Sequence, residues 1–146
     1  MNLLNFSQNQ KTFVLIMIKK DYNISSAPTP MGKYPHSKKV GNLLFLSGIG
    51  SRNPKDNSIP DNFKDECHAV FKNVNIILNK SGAHWVDLVD ITVFLTNMKK
   101  NFDTFNSIYS DYFKNTSPCR TTIEVKSLPS PISIELKCIA LLRDDK

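Results

Sequence analysis

The stretch that decides the fold is residues 63–95, which read FKDECHAVFKNVNIILNKSGAHWVDLVDITVFL. In its first half, apolar residues recur at three- and four-residue spacings, which is typical of the buried face of a helix. Asp61 or Asn62 can cap the start of this helix, and the Ser-Gly pair at residues 81–82 marks its end. Apolar residues then alternate over residues 86–95, which predicts a strand directly after the helix.

Outward from this stretch, the same patterns predict one more helix and several more strands. The second helix covers residues 102–113, where the apolar stripe is mostly aromatic; we interpret this stripe as core. Alternation and short apolar runs predict the strands. They lie at Val40, residues 43–46, residues 121–125 and residues 132–142, with turns at residues 41–42 and 128–131 and a strand end at residues 47–50.

The predicted order is strand, strand, helix, strand, helix, strand, strand. This order favours an α+β fold in which a single sheet carries two helices on one face. Two helices cover only one face of the sheet, so the other face would stay partly apolar. We therefore expect an oligomer to bury that second face.

The composition favours one ordinary globular domain. The chain has 146 residues, of which 40% are hydrophobic and 22% charged, and this excludes a wholly disordered chain. The net charge of +6 favours anionic partners, but the cations are scattered, which argues against nucleic-acid recognition. The three cysteines are widely spaced and form no zinc set with the histidines. We therefore predict a reduced, cytoplasmic chain with no metal or organic cofactor.

The N-terminus is predicted to be an extension, residues 1–26, before a single domain over residues 27–146. Its apolar run FVLIMI at residues 13–18 is six residues long, whereas a membrane-spanning helix needs about 20. A signal peptide is weakly supported, because Lys11 is the only preceding cation and no small-residue cleavage site follows promptly. The run is interpreted as an edge strand or part of the extension, and Met17 is an alternative start.

Seven short fragments stand in order between about residue 27 and residue 142 and form one pattern. They are GKY at 32–34, FLSG at 45–48, SGA at 81–83, VDITVFL at 89–95, FNSIY at 105–109, PCRTTIEV at 118–125 and IELKCIA at 134–140. Together they resemble the Rid (YjgF) family. The resemblance implies a chorismate-mutase-like α+β fold and a barrel-like homotrimer with clefts between neighbouring subunits. Many members of the family hydrolyse reactive enamines or imines to ketones and ammonia.

Four further pieces refine the resemblance. They are YPH at 34–36, SR at 51–52, RTT at 120–122 and ELK at 135–137. These pieces are similar to the 2-aminomuconate deaminase branch more than to the general imine deaminases. The likeness implies a substrate that carries two carboxylates.

Arg120 is the first candidate for substrate binding. The resemblance implies that it holds the substrate carboxylate at a subunit interface, where its planar fork makes two parallel hydrogen bonds that lysine cannot reproduce. Without the resemblance, a surface arginine at the start of a strand is an equal interpretation. Arg120 and Thr122 have the opposite strand parity to Thr121, Ile123 and Val125, so we expect Arg120 to face away from the core.

Lys137 is the main departure from the family pattern. Typical imine deaminases of the family carry a glutamate at this position, which is thought to orient the attacking water. Here Glu135 lies two residues earlier on the same strand face. Three interpretations stay open: the common catalytic route is lost, or Lys137 and Arg120 together hold a dicarboxylate and Lys137 exchanges protons, or Lys137 is a solvated strand residue.

The resemblance also implies further contacts with the substrate. The expected substrate-binding residues are Tyr34, Ser47, Gly48, Arg52, Asn106, Thr122 and Glu135. Packing explains Tyr34 equally well, and a simple turn explains Ser47 and Gly48. His36 is a candidate general acid near neutral pH, with an exposed loop histidine as the alternative. The expected catalytic residues are therefore Arg120, Lys137 and His36.

Three functions are compared at this point. The first is a deaminase that hydrolyses an enamine or imine carboxylate, such as 2-aminomuconate, to the keto acid and ammonia. The second is a catalytically silent homotrimer that binds small carboxylic acids, and ammonia release separates it from the first. The third is an endoribonuclease or translation inhibitor, which the scattered cations and the lack of a paired-histidine motif disfavour.

Overall fold

The computed structural model describes residues 19–143, which form one mixed β-sheet with two helices. In chain order the elements are β1 (Lys19–Tyr22), β2 (Ser37–Val40), β3 (Leu43–Leu46), β4 (Ile49–Gly50), α1 (Phe63–Lys80), a 3₁₀ turn (Trp85–Asp87), β5 (Leu88–Leu95), α2 (Met98–Tyr112), β6 (Cys119–Glu124) and β7 (Ile134–Leu141). The strand order across the sheet is β1-β2-β3-β7-β5-β6, and β4 pairs with β7. Only β5 and β6 pair in parallel. The predicted α+β class is confirmed.

Helix α1 forms where the sequence predicts it, because local signals fix both of its ends. Asn62 Oδ1 accepts the Asp65 N–H at 2.9 Å, which satisfies one of the free amides of the first turn. The helix ends at Lys80 with Ser81 as its C-cap, and Gly82 follows with a φ of 84°. This left-handed conformation strains residues that have a Cβ, so a glycine suits the position.

Helix α2 begins at Met98, earlier than the predicted residue 102. Its start is stabilised by a residue distant in sequence, since the Glu124 carboxylate on β6 accepts the Met98 N–H at 2.6 Å. A carboxylate at a helix N-terminus also interacts favourably with the helix dipole. The first turn holds two lysines and an asparagine, so apolar periodicity alone places the start too late.

Strand β5 begins at Leu88, whereas the sequence predicts residue 86. The difference arises because residues 85–87 form a 3₁₀ turn, in which the Asp87 carboxylate accepts the His84 N–H at 2.8 Å. Val86 fits the alternating pattern, yet it is an exposed residue of that turn.

Two short strands are additions to the predicted order. Strand β4 occupies part of the predicted strand end and pairs with β7. Strand β1 lies in the segment interpreted as an N-terminal extension, but it pairs with β2 from Lys19 opposite Val40 to Tyr22 opposite Ser37. The sheet therefore begins before residue 27. The apolar run at residues 13–18, and Met17 with it, lies outside the described residues.

The two faces of the sheet differ in what covers them. The face toward the helices carries the core, including the fully buried Leu44, Leu46, Ile91, Val93, Leu95, Ile134, Leu136 and Cys138. The strand register places a second set on the opposite side, which we call the open face. It consists of Leu43, Phe45, Thr92, Phe94, Thr121, Ile123, Glu135, Lys137, Ile139 and Leu141. Leu141 is 49% exposed there, so an apolar second face is present, and its burial by a homotrimer stays a prediction.

Candidate functional site

Arg120 lies on β6 and faces the helices. In the parallel pairing with β5, Arg120 stands opposite Ile91 and Thr122 opposite Val93, and both β5 residues are fully buried. Paired residues project from the same face of a sheet. The prediction that Arg120 faces away from the core is therefore wrong. The alternating apolar pattern misleads here because Ile123, interpreted as core, is 42% exposed on the open face.

Three residues of α2 hold the guanidinium group of Arg120 in place. Its Nη1 donates to Asn106 Oδ1 at 2.9 Å. The guanidinium carbon lies 4.6 Å from the ring centre of Tyr109 and 5.6 Å from that of Phe105. A cation over aromatic faces gains about 0.5–1 kcal/mol at exposed sites and more where water is excluded. The planar fork is thereby oriented, with further N–H groups left for a ligand.

Two buried hydroxyl groups belong to the same neighbourhood. Tyr109 Oη and Thr122 Oγ1 are the only buried side-chain nitrogen or oxygen atoms in residues 19–143 with no protein group at hydrogen-bonding distance. Burial raises the pKa of Tyr109, and the positive charge of Arg120 partly opposes the rise. We call Phe105, Asn106, Tyr109, Arg120 and Thr122 the Arg120 site. It combines one fixed cation with two unused hydroxyls.

Five other predicted residues line a cavity of about 40 Å³, which shares no residue with the Arg120 site. They are Tyr34, His36, Ser47, Gly48 and Arg52. The end of β3 is held against the preceding loop by the Ser47 N–H, which donates to the His36 carbonyl at 3.0 Å. The structure thus brings four of the expected substrate-binding residues and His36 to one cavity, apart from Arg120, and their roles in binding stay predictions.

His36 has a structural role. Its Nδ1 accepts the Ile24 N–H at 3.0 Å, and its Nε2 lies 3.0 Å from the Pro28 carbonyl oxygen, to which it donates. The residue is only 6% exposed. Both ring nitrogens are thus occupied by backbone groups, and Nδ1 cannot carry a proton in this arrangement. These contacts favour a structural role for His36, and its role as the general acid stays a prediction.

Arg52 connects two loops. Its Nη2 donates to the Thr29 carbonyl at 2.6 Å, and its Nη1 donates to Asn57 Oδ1 at 3.1 Å. Its own carbonyl accepts from Asn73 Nδ2 at 2.9 Å. The guanidinium group therefore fixes the rim of the cavity, and only its remaining N–H groups are left for a ligand.

Tyr34 and Ser47 are also engaged by the backbone of the cavity rim. Ser47 Oγ donates to the Pro35 carbonyl at 2.6 Å, and Tyr34 Oη accepts the Met31 N–H at 3.1 Å. The ring of Tyr34 is nevertheless exposed. These hydrogen bonds fix the loop between β1 and β2, and they leave the Tyr34 ring as a wall of the cavity.

Glu135 and Lys137 lie side by side on the open face of β7. The Glu135 carboxyl lies against Gly48, so that a Cβ at position 48 would require the end of the Glu135 side chain to shift. Burial raises the pKa of Glu135. Lys137 Nζ donates to the Leu46 carbonyl at 2.5 Å. The open face thus presents a partly buried carboxyl group beside Gly48, which lines this cavity, and an ammonium group bound to the Leu46 carbonyl.

The two groups of residues occupy opposite faces of one sheet. Arg120 shares the helix face with Ile91, whereas Lys137 stands opposite Thr92 on the open face. A small ligand cannot contact both cations within one chain. The predicted pairing of Arg120 with Lys137 in one cleft therefore needs a second copy of the chain.

Sequence reasoning missed Phe105 and Tyr109 as site residues, since it assigned the aromatic stripe of α2 to the core. Phe105 is indeed fully buried, but Tyr109 is at the boundary between core and site. A usable signal was present: Asn106 and Tyr109 are three residues apart and so share a helix face. Asn106 was already a candidate, which makes its neighbour on that face one as well.

Comparisons with known proteins agree with this architecture. Residues 24–142 match the family model described as endoribonuclease L-PSP. A RutC family protein of Aquifex aeolicus is 36% identical over 84% of this chain and 98% of its own length. The chloroplastic reactive intermediate deaminase A of Arabidopsis thaliana is 36% identical over 86% of this chain and 67% of its own length.

A solved structure is similar over the same region. The crystal structure of the YjgF gene product from Escherichia coli has a TM-score of 0.79 and 31% sequence identity, and the match covers 85% of this chain and 99% of that one. No helix among residues 19–143 is long and apolar enough to cross a membrane. The chain belongs to the endoribonuclease L-PSP family, also known as the Rid or YjgF family.

Proposed function

We propose that the protein hydrolyses an enamine or imine carboxylate to the corresponding keto acid and ammonia. The observation that carries this proposal is the Arg120 guanidinium group, which Asn106 and the Tyr109 ring hold in place on the helix face of β6. A planar, fixed fork suits a planar carboxylate better than a mobile ammonium group does. The similarity to a protein named reactive intermediate deaminase supports the reaction class.

The reaction needs little more than orientation and proton transfer. An enamine takes a proton on carbon and becomes an imine. Water then adds to the imine carbon, and the C–N bond breaks to release ammonia and leave the ketone. Anchoring the carboxylate fixes the imine carbon relative to the water, which accelerates the addition by proximity. Groups that exchange protons near the operating pH contribute the remaining rate acceleration.

The complete site lies between two subunits in this proposal. Arg120 is on the helix face of β6, whereas Glu135 and Lys137 are on the open face of β7. The apolar open face supports an assembly in which it meets a neighbouring copy, because exposed apolar surface of this kind marks an interface. A closed homotrimer gives each Arg120 site the same open-face neighbour.

Glu135 is the proposed proton-transfer group. Its raised pKa, caused by burial, keeps the carboxyl protonated to higher pH than an ordinary glutamate. Lys137 would then hold a second carboxylate, as 2-aminomuconate carries. This assignment replaces the missing family glutamate with its neighbour on the same strand face.

A catalytically silent homotrimer that binds small carboxylates is the second candidate. It is favoured by Lys137, which stands where the family resemblance places a glutamate and whose ammonium group donates to the Leu46 carbonyl. In place of a carboxylate that could orient water, this position then holds a hydrogen-bond donor that is already engaged. The carboxylate anchor would be retained and the hydrolysis lost.

Ammonia release by the purified protein separates the two candidates. We would supply 2-aminoacrylate, generated in situ, and 2-aminomuconate, and compare wild type with Arg120→Lys. The matched control is Arg143→Lys, because Arg143 pairs with Asp87 outside the site. Turnover that is lost in Arg120→Lys and kept in Arg143→Lys supports the deaminase. A folded protein that binds carboxylates but releases no ammonia supports the silent protein, and RNA cleavage by the wild type would contradict both.

A further inference from the structure

A cavity of about 630 Å³ lies where α1, the 3₁₀ turn and the end of α2 meet. It shares no residue with the Arg120 site or with the cavity around Tyr34. Small-molecule sites typically have volumes of about 300–1000 Å³. We call this space the aromatic cavity, and its walls include His68, Lys72 and Asn75 of α1, Trp85 of the 3₁₀ turn and Tyr112 of α2. It is a candidate ligand site that the proposed function does not use.

Hydrogen bonds hold the aromatic walls of this cavity in place. Trp85 Nε1 donates to the Tyr112 carbonyl at 3.0 Å and so connects the 3₁₀ turn to α2. Tyr112 Oη lies 3.0 Å from His68 Nδ1 and so connects α2 to α1. The centre of the fully buried Phe71 ring lies 4.4 Å from that of Tyr112 and 5.9 Å from that of Trp85, yet Tyr112 is 37% exposed. A planar ring that packs against these walls therefore orders little of the protein on binding.

The charged residues around the aromatic cavity are all cations. Lys72 lines it and also lines two adjoining cavities of about 220 and 600 Å³, to which Arg52 and Lys55 contribute the other cations. No aspartate or glutamate lines any of the three. The Lys72 side chain is exposed, and its ammonium group has no hydrogen bond or ion pair within residues 19–143. A free ammonium group in a cavity without carboxylates attracts an anionic group.

We propose that the aromatic cavity binds a small molecule that combines a planar ring with an anionic group. The ring packs against Trp85 and Tyr112, and the phosphate or carboxylate of the ligand pairs with Lys72. The Asn75 amide and His68 Nε2 have no partner in the described part of the chain and are left for polar atoms of the ring. The helices lie opposite the open face, so an assembly through that face leaves the cavity accessible. The inference does not depend on the proposed function.

The test uses Trp85 as its reporter, because it is the only tryptophan in the chain. Its fluorescence in the full-length protein is followed during titration with two matched pairs, adenosine monophosphate with adenosine and phenylacetate with phenylacetamide. Within each pair the ring is kept and the anionic charge is removed. At low salt, the charged member of at least one pair is expected to bind about 5-fold more tightly than its neutral partner, the effect of one exposed ion pair. A preference confined to the first pair assigns a phosphate ligand, and one confined to the second assigns a carboxylate.

The variants remove one positive charge at a time. Lys72→Gln changes an exposed side chain, so the fold should persist, and the charged ligand is expected to bind only as weakly as its neutral partner. Lys99→Gln is the matched control, because Lys99 is an exposed lysine at the opposite end of α2 from Tyr112. It is expected to keep the preference of the wild type. Arg120→Lys should keep that preference as well, since the Arg120 site shares no residue with the aromatic cavity.

Several results would overturn the inference. A Trp85 fluorescence that none of the four compounds changes contradicts it, and so do equal affinities within both pairs. A preference that survives Lys72→Gln shows that the anion binds elsewhere. A response that is lost in Arg120→Lys shows that the compounds bind at the Arg120 site and reach Trp85 only indirectly. Ammonia release is measured separately, and its presence or absence does not bear on this site.

Discussion

The Arg120 site and the open face around Glu135 carry the charged groups proposed to act on the substrate. They differ in how far contacts within one chain hold those groups in place. Arg120 is fixed within one chain by a hydrogen bond to Asn106 and by the ring of Tyr109. On the open face, Glu135 has no ion-pair partner in residues 19–143, and the apolar residues Ile123 and Leu141 of the same face are 42% and 49% exposed.

The difference indicates that one half of the site is preorganised and the other half is completed by assembly. An arginine that is already oriented loses little further side-chain entropy on binding. A partly buried carboxyl beside exposed apolar residues is, by contrast, the expected state of a surface that another copy covers. Substitutions on the two sides should therefore fail in different ways.

The largest effect is expected from Arg120→Ala. Removal of the guanidinium group should lower kcat/KM, or carboxylate affinity if there is no turnover, by about 100- to 1000-fold. The fold should persist, since Arg120 makes its contacts at the edge of the core. Activity assays together with circular dichroism measure both. An unfolded variant would show that Arg120 is a structural residue, and this would contradict its role as a preorganised binding group.

Leu141→Asp tests whether another copy of the chain covers the open face. Placing an unpaired carboxylate in a buried interface is costly, so the assembly should dissociate at micromolar concentration and activity should fall about 100-fold. Sedimentation velocity gives the mass. Val86→Asp is the control, because Val86 is 54% exposed in the 3₁₀ turn and lies away from the open face. Two variants with the same mass and activity would contradict an interface at this face.

Asn106→Ala sharpens the account of how Arg120 is oriented. The substitution removes the acceptor of the Nη1 hydrogen bond, and loss of a hydrogen bond to a charged group weakens carboxylate binding about 10-fold. Asn75→Ala, on an exposed face of α1, serves as the control. If both variants keep the wild-type affinity, the hydrogen bond from Asn106 does not orient Arg120, and the aromatic rings alone do.

The sequence predicted the helices and strands better than it predicted which face of the sheet each side chain occupies. Helix α1 is encoded locally by Asn62 and Gly82, so its bounds could be anticipated. The start of α2 depends on Glu124, which is distant in sequence, and periodicity could not reveal it. Arg120 was placed on the wrong face because Ile123 is apolar and exposed, and an alternating pattern cannot distinguish a core from an interface.

For the candidate site residues, too, the sequence alone does not specify the contacts that decide their roles. Tyr34, Ser47, Gly48 and Arg52, expected to bind substrate, and His36, expected to be catalytic, all line one cavity. Their roles depend on hydrogen bonds that no motif specifies, and His36 proves to be engaged by two backbone groups. Tyr109 was assigned to the core because an aromatic stripe on a helix does not distinguish a fully buried ring from one that packs against Arg120.

The smallest effect is expected from Glu135→Gln, and it concerns pH. Because burial raises the pKa of Glu135 in the folded state, the folded protein binds the proton more tightly than the unfolded chain. Stability contributed by the protonated carboxyl is complete below its ordinary pKa of about 4.5 and decreases as pH rises through the raised value. The glutamine variant has no such loss.

The measurement is best made in the Leu141→Asp background, where no neighbouring subunit covers Glu135. Six residues of strand separate the two positions, about 20 Å, so the new charge hardly perturbs the carboxyl. Melting temperatures of the two proteins should agree near pH 4 and diverge toward pH 7, with Glu135→Gln the more stable. An equal difference at every pH would mean that Glu135 titrates normally, and the proposed proton-transfer role would lose its physical basis.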